Sequence, residues 1–409
     1  VAKLGKAHTL ELAARNWLRG VVVDKESLFY VPRPSDFKST QQLILTLTDA
    51  AEAGYPDKFF FVGQKGCGKS TELNTLRVDK DICKYYHPFN FSIQDVANIQ
   101  DLEYSDILFL IVAKLLDEYP LDGSKSLKKA KAIISKKQNF IAILRKFPEL
   151  FDIEFNLEFI KIKLNEPKSR ETLRNELQKN SHDLLELISD TSLLIQKEKH
   201  KRPLILIDDL DKPSIEIQKK LFIDNRDALL QPDCHVVYTV NHAITHQDDF
   251  VNIHDRVVTV PYVSIHHPPW DEGMMTHISG RQFLKEVILR RMDETLFANG
   301  VLDKMIDLSG GALDQMRDLL TETISRARLR EGHRIEERDL IGACIRFMNP
   351  YDRLLNDDDL TILREIHDNH KRVRNASIAR LIFMRALLEY QNENIWWDIN
   401  PILKWLVKQ

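Results

Sequence analysis

Residues 59–71, FFFVGQKGCGKST, run from an apolar stretch into a turn holding Gly63, Gly66 and Gly68, then Lys69 and the hydroxyls of Ser70 and Thr71. Glycines adopt backbone conformations closed to other residues, so the amides of such a turn can all face inward. The spacing Gly63-x4-Gly68-Lys69-Ser70 is that of a phosphate-binding loop. Its amides and the following helix N-terminus face the phosphates, Lys69 reaches the β and γ phosphates, and the Ser70 hydroxyl ligates Mg²⁺. The expected ligand is a nucleoside triphosphate. Cys67, inside the loop, reads as an incidental small residue rather than an oxidation site. A plain glycine turn between strand and helix is the alternative, which a second motif in the right place would displace.

That motif is PLILIDDLDK, residues 203–212. Leu204 to Ile207 predict a buried parallel strand, with Asp208 and Asp209 emerging at its C-terminal edge, where open α/β sheets bind ligands. Asp208 is the candidate Mg²⁺ ligand and Asp209 the group that orients or deprotonates an attacking water. A further strand, CHVVYTVN, brings Asn241 to the same edge, where its amide could hold that water or the γ-phosphate; its alternative role is to cap a helix starting near Ala243.

The elements that must position these residues follow the order strand, helix, strand, helix. The strand at Phe59, the helix TELNTLRV, the strand CKYYHPFNF and the helix SDILFLIVAKLLDEY predict a parallel sheet. Residues 1–57 form a helical lead-in, and 58–270 the nucleotide-binding core. Within the core, 121–200 reads as an insertion carrying a lysine-rich segment and the alternating stretch FDIEFNLEFIKIKL. From 271 to 350 the pattern is helical, with Ser309 as an N-cap and Gly310 and Gly311 free to approach the nucleotide. Residues 351–409 form a small terminal unit, in which NASIARLIFMRALLEY predicts one continuous helix.

The chain has 409 residues, 43% of them hydrophobic and 29% charged, with a net charge of −3. This gives no global attraction to nucleic acid or acidic membranes. Four scattered cysteines show no metal-ligand or disulfide spacing. No leader is recognisable, and the longest apolar run, Ile107 to Ala113, falls short of the ~20 residues of a membrane span. A cytoplasmic protein without membrane contact is expected.

GQKGCGKST, LILIDDLD, VVYTVN, DRVVTV and SGGALDQMRDLL, in that order and followed by a small terminal unit, resemble an AAA+ ATPase of the origin-recognition and STAND type. The resemblance implies an α/β P-loop NTPase fold of the AAA+ type, with a helical lid over 271–350 and a winged-helix-like unit over 351–409. It implies ATP and Mg²⁺ as cofactors, Asn241 as a sensor residue, Arg256 as an arginine finger and Arg317 as the lid arginine. Tyr30 and Val31, in LFYVPRP, stand where such proteins hold the adenine. Arg256 has a structural alternative, an ion pair with Asp255 or Asp249, and Arg317 a surface salt bridge.

Many AAA+ enzymes place a glutamate where this chain has Asp209, one methylene shorter, and STAND proteins with aspartate there act as slow switches. The function expected is a slowly hydrolysing ATP switch that signals to a protein partner, at least transiently as a homo-oligomer, in bacterial signalling or phage defence. The alternative is a DNA-binding initiator using its winged helix. Across 352–409, nine basic and nine acidic residues leave no positive excess, which disfavours duplex binding.

Overall fold

The computed structural model describes residues 5–17, 23–37, 39–118, 166–247, 249–250, 256–268, 277–370, 372–391 and 394–408. The lysine-rich part of 121–200 and its alternating stretch lie outside these residues.

Five strands, β1 (Lys58–Gly63), β2 (Tyr86–Ser92), β3 (Arg202–Asp208), β4 (His235–Asn241) and β5 (Val257–Thr259), form one parallel sheet in the order β2-β3-β4-β1-β5. The three middle strands are covered on both faces, so β1 and β4 are buried along their whole length. Alternation along β1 sorts its side chains. Phe60 and Val62 join one core with Ile205, Ile207 and Tyr238, beneath the helices Tyr104–Glu118, Pro167–Lys179 and Ser181–Lys199. Phe59 and Phe61 join the opposite core, beneath the helices Ser39–Ala53 and Lys69–Arg77.

The sheet's own helices therefore reach back to Pro167. The described part of the expected insertion forms no separate core, because Leu173, Leu177 and Leu184 share the sheet's core. Arg174 Nε, bonded to both carboxylate oxygens of the buried Asp106 at 3.0 and 3.1 Å, ties that helix to its neighbour.

Helices Ile278–Leu289, Val301–Ser309, Leu313–Leu329 and Glu337–Leu354 make a second body. The short helix Leu10–Asn16, capped by Thr9, buries Leu10 and Ala13 in this body's core. In the terminal unit, helices Asp357–Asn369 and Ile378–Phe383 precede an antiparallel hairpin, β6 (Leu387–Gln391) with β7 (Ile395–Ile399). The expected single helix through Tyr390 thus ends at Phe383. Arg385 takes a positive φ of 62°, which a continuing helix does not allow, and the chain turns into β6.

Candidate functional site

At the C-terminal edge of the sheet, register aligns Ser92 with Asp208 and Gly63 with Asn241. The loop leaving β1 and the acidic turn leaving β3 meet there, beside a cavity of about 960 Å³. It is lined by Gly66, Gly68, Lys69, Ser70 and Thr71 of the loop and by Asp208, Asp209 and Asp211, which meet that loop directly. Trp17, Phe29, Tyr30 and Val31 also line it, as do Leu313, Asp314 and Arg317 of the helix Leu313–Leu329.

The loop turns through positive φ at Gly66 (83°) and Gly68 (100°), the two places where glycine is required. Lys69 Nζ bonds the carbonyls of Gly63 at 2.7 Å and Gln64 at 3.1 Å, and pairs with Asp211 Oδ2 at 3.0 Å. Both partners are about 4% exposed. Burial works against each charge, yet Asp211 holds Lys69 protonated and Lys69 keeps the Asp211 carboxyl below its ordinary value.

Burial, together with the Asp209 and Asp211 charges, pushes the Asp208 carboxyl up to about 6, and a hydrogen bond from Ser70 opposes the rise. Oxygens of Asp208, Asp209 and Asp211 lie within 4.8 Å of one another. Clustered carboxylates beside a serine hydroxyl, with one raised by its neighbours' charge, fit a hard, oxygen-seeking dication such as Mg²⁺. Asp209 sits at φ 64°, and its Oδ2 accepts from Ser92 Oγ at 2.6 Å.

Asn241 does not line the cavity. Its Oδ1 caps Ala243 N at 2.9 Å and its Nδ2 donates to Asp211 O at 3.3 Å, so the amide expected at the reacting phosphate instead braces the acidic turn from below. Cys67 is buried and faces the core, with its carbonyl held by Arg33. Arg256 lies at the far end of the sheet, just before β5, where it pairs with Asp57; Asp255, one of its two expected partners, lies outside the described residues. Arg317 does reach the cavity wall, where its guanidinium bonds Asp318 at 2.8 Å. Gly310 and Gly311 approach protein, not the cavity: a Cβ on Gly311 would meet Val263 O at 2.2 Å. Ser309 ends its helix, and Ala312 takes the N-cap position of the next.

Four residues that sequence reasoning missed organise the site. Ser92 carries Asp209, and Arg33, buried against Glu72 at 3.1 Å, holds the loop at Cys67. Gln64 lends its side chain to the hairpin: Nε2 donates to Leu387 O at 3.2 Å and Oε1 accepts from Glu389 N at 2.9 Å. Asp314, against Gly66, pairs with Arg385 of the terminal unit at 2.5 Å. No local pattern marks any of them, since each is defined by a partner distant in sequence.

No family model matches the sequence, and no curated protein sequence matches it. Solved structures align over most of its length. Cdc6p from Pyrobaculum aerophilum is 14% identical over 95% of this chain and 99% of its own, with a TM-score of 0.41. The ORC1 protein of Aeropyrum pernix, solved with DNA, is 11% identical over 97% and 96%, with a TM-score of 0.44. The RuvB branch-migration motor of Thermotoga maritima is 11% identical over 93% and 98%, at 0.37. Among the described residues no helix is long and apolar enough to cross a membrane. Five parallel strands ordered β2-β3-β4-β1-β5, with a glycine-rich lysine loop leaving β1 and paired aspartates leaving β3, make this an α/β fold of the P-loop NTPase type.

Proposed function

We propose that the chain is an ATP-binding, slowly hydrolysing switch whose terminal unit reports the state of the nucleotide site to a protein partner. The observation that carries the reading is the convergence on one cavity of the phosphate-type loop, the acidic end of β3 and the helix Leu313–Leu329. In this reading the amides of 66–70 and Lys69 hold the phosphates, Tyr30 and Val31 contact the base, and Arg317 senses the phosphate end. Mg²⁺, held by Ser70 and Asp208, would neutralise phosphate charge when bound.

Lys69 must leave Asp211 to meet a phosphate. A ligand that draws it away frees a buried carboxylate beside Asp209, so phosphate binding and the acidic turn are electrostatically linked. Asp209 orients the attacking water while Ser92 fixes its carboxylate. Its short side chain and its bond to Ser92 limit its reach, which favours slow turnover. Arg256 stands outside its own chain's site and would act in a neighbour's, in a homo-oligomer.

Calorimetry with ATP and a phosphate-release assay test the reading. Lys69→Ala should weaken nucleotide binding at least tenfold, while Asp209→Asn should bind ATP normally and release phosphate at least a hundredfold more slowly. Unchanged affinity in Lys69→Ala would sink it.

A further inference from the structure

A second cluster of ligating side chains lies away from the nucleotide cavity, where β6 of the terminal hairpin meets the turn after β4. His242 and His246 occupy the 3₁₀ turn His242–His246, and Glu389 sits on β6. Glu389 Oε1 lies 2.6 Å from His242 Nε2, and Oε2 lies 3.1 Å from His246 Nε2. The Glu389 and His242 side chains are 4% and 6% exposed, and His246 stands at the rim at 17%.

Among the described residues, no lysine or arginine pairs with Glu389; its only ionisable partners are these two imidazoles. A buried carboxylate needs a counter-charge, and the groups placed to hold one beside Glu389 are these two ligating imidazoles. One ligand atom from each of the three residues falls within 4.8 Å of the others, close enough to share an ion. Trp397 Nε1 donates to Glu389 Oε2 at 2.8 Å and Gln391 Nε2 to Oε1 at 3.3 Å, the outer hydrogen bonds that orient a ligating carboxylate. His242 and Glu389 also border a small cavity of about 10 Å³, room for roughly one water beside these two side chains.

We propose that His242, His246 and Glu389 form a binding site for a borderline divalent transition metal of the Zn²⁺ class. Two imidazole nitrogens select such an ion over Mg²⁺ or Ca²⁺, and a water in the small cavity completes a four-coordinate set. The ion cross-links residues 143 and 147 positions apart in sequence, stapling the hairpin to the end of β4. This site is separate from the Asp208 cluster and stands whether or not the nucleotide reading holds.

The full chain, stripped with chelator and dialysed, is titrated with Co²⁺ and with Zn²⁺, following Co²⁺ absorption and binding heat. Wild type should take up one tight equivalent, with the visible band of a four-coordinate nitrogen and oxygen site, and Zn²⁺ should displace Co²⁺. His246→Gln, at the solvent rim, should bind at least a hundredfold more weakly, and Trp397→Phe, which removes the hydrogen bond to the carboxylate but keeps a ring against His246, about tenfold. Asp208→Asn should keep wild-type Zn²⁺ affinity, which separates this site from the acidic turn. Glu389→Gln is the confirming variant, and folding of each is checked by circular dichroism; His246→Gln decides the case if Glu389→Gln is unfolded. Absence of a tight equivalent in wild type, or its retention in His246→Gln, overturns the metal and leaves a histidine-carboxylate hydrogen-bond cluster.

Discussion

Lys69 and Asp211 form an ion pair with almost no solvent contact. Removing one partner of such a pair strands a charge in a low dielectric, which costs more than the pair contributes. Asp211→Ala is expected to lower unfolding free energy by about 3–5 kcal/mol, with Lys69→Met/Asp211→Leu recovering most of the loss. Chemical denaturation measures it, and a loss under about 1 kcal/mol would mean the pair is screened. His235, at the start of β4, is buried edge-on to Tyr86. Burial, aided by Arg202 and Lys58, pulls its pKa down from 6.5 to about 3. The unfolded chain therefore binds a proton that the folded chain refuses between those values. The stability from neutral His235 is complete above pH 6.5 and drains away as pH falls towards 3. Between pH 7 and pH 5 this amounts to about 2 kcal/mol. His235→Asn should be less stable at pH 7 and lose correspondingly less on acidification; parallel pH dependence in both proteins would refute the assignment.

The elements most legible in the sequence were those whose signals are local. The loop motif, the apolar run of β3 and its acidic end lie within a few residues of one another, and strand and turn chemistry follow directly. Ser92 became visible only through its register with Asp208, and Gln64 and Asp314 only through docking of units more than 70 residues away. The helical pattern of 375–390 misled because Leu387, Leu388 and Tyr390 are apolar under either period, while Arg385 breaks the helix for a partner in another unit. The glycine turn between helices Val301–Ser309 and Leu313–Leu329 makes the same point. Gly311, at φ 82°, lies under the Val263 carbonyl. Gly311→Ala combines a left-handed backbone with a backbone clash, so it should cost roughly 2 kcal/mol or more and loosen the start of the helix that lines the cavity. Hydrogen exchange at 312–318 measures this, and unchanged protection there would contradict it.

Across the whole molecule, the nucleotide cavity is lined by the sheet and the helical body and braced from outside by the terminal unit. The sheet supplies the loop, the helical body supplies Asp314 and Arg317, and the terminal unit supplies Arg385 and the hairpin backbone that Gln64 bonds. Asp314 is the critical joint. Its carboxylate lies so close to Gly66 that a Cβ there would fall 1.6 Å from Oδ1, placing negative charge beside the loop that is to hold phosphate. Arg385 neutralises that charge, and the pair is largely buried, with side chains 15% and 14% exposed. The terminal unit would thus tune phosphate affinity without touching the ligand. If so, Arg385→Ala should weaken ADP binding roughly tenfold, about 1.4 kcal/mol, because the unpaired Asp314 repels the phosphates. Asp314→Asn/Arg385→Ala should restore most of that affinity, although it removes the same ion pair, since no net charge then faces the loop. Calorimetric titration of the wild type, both single variants and the double variant closes the cycle. Equal losses in the two single variants and in the double variant would mean that the pair only fastens the units together; rescue by the second substitution would mean that the terminal unit acts on the site through charge.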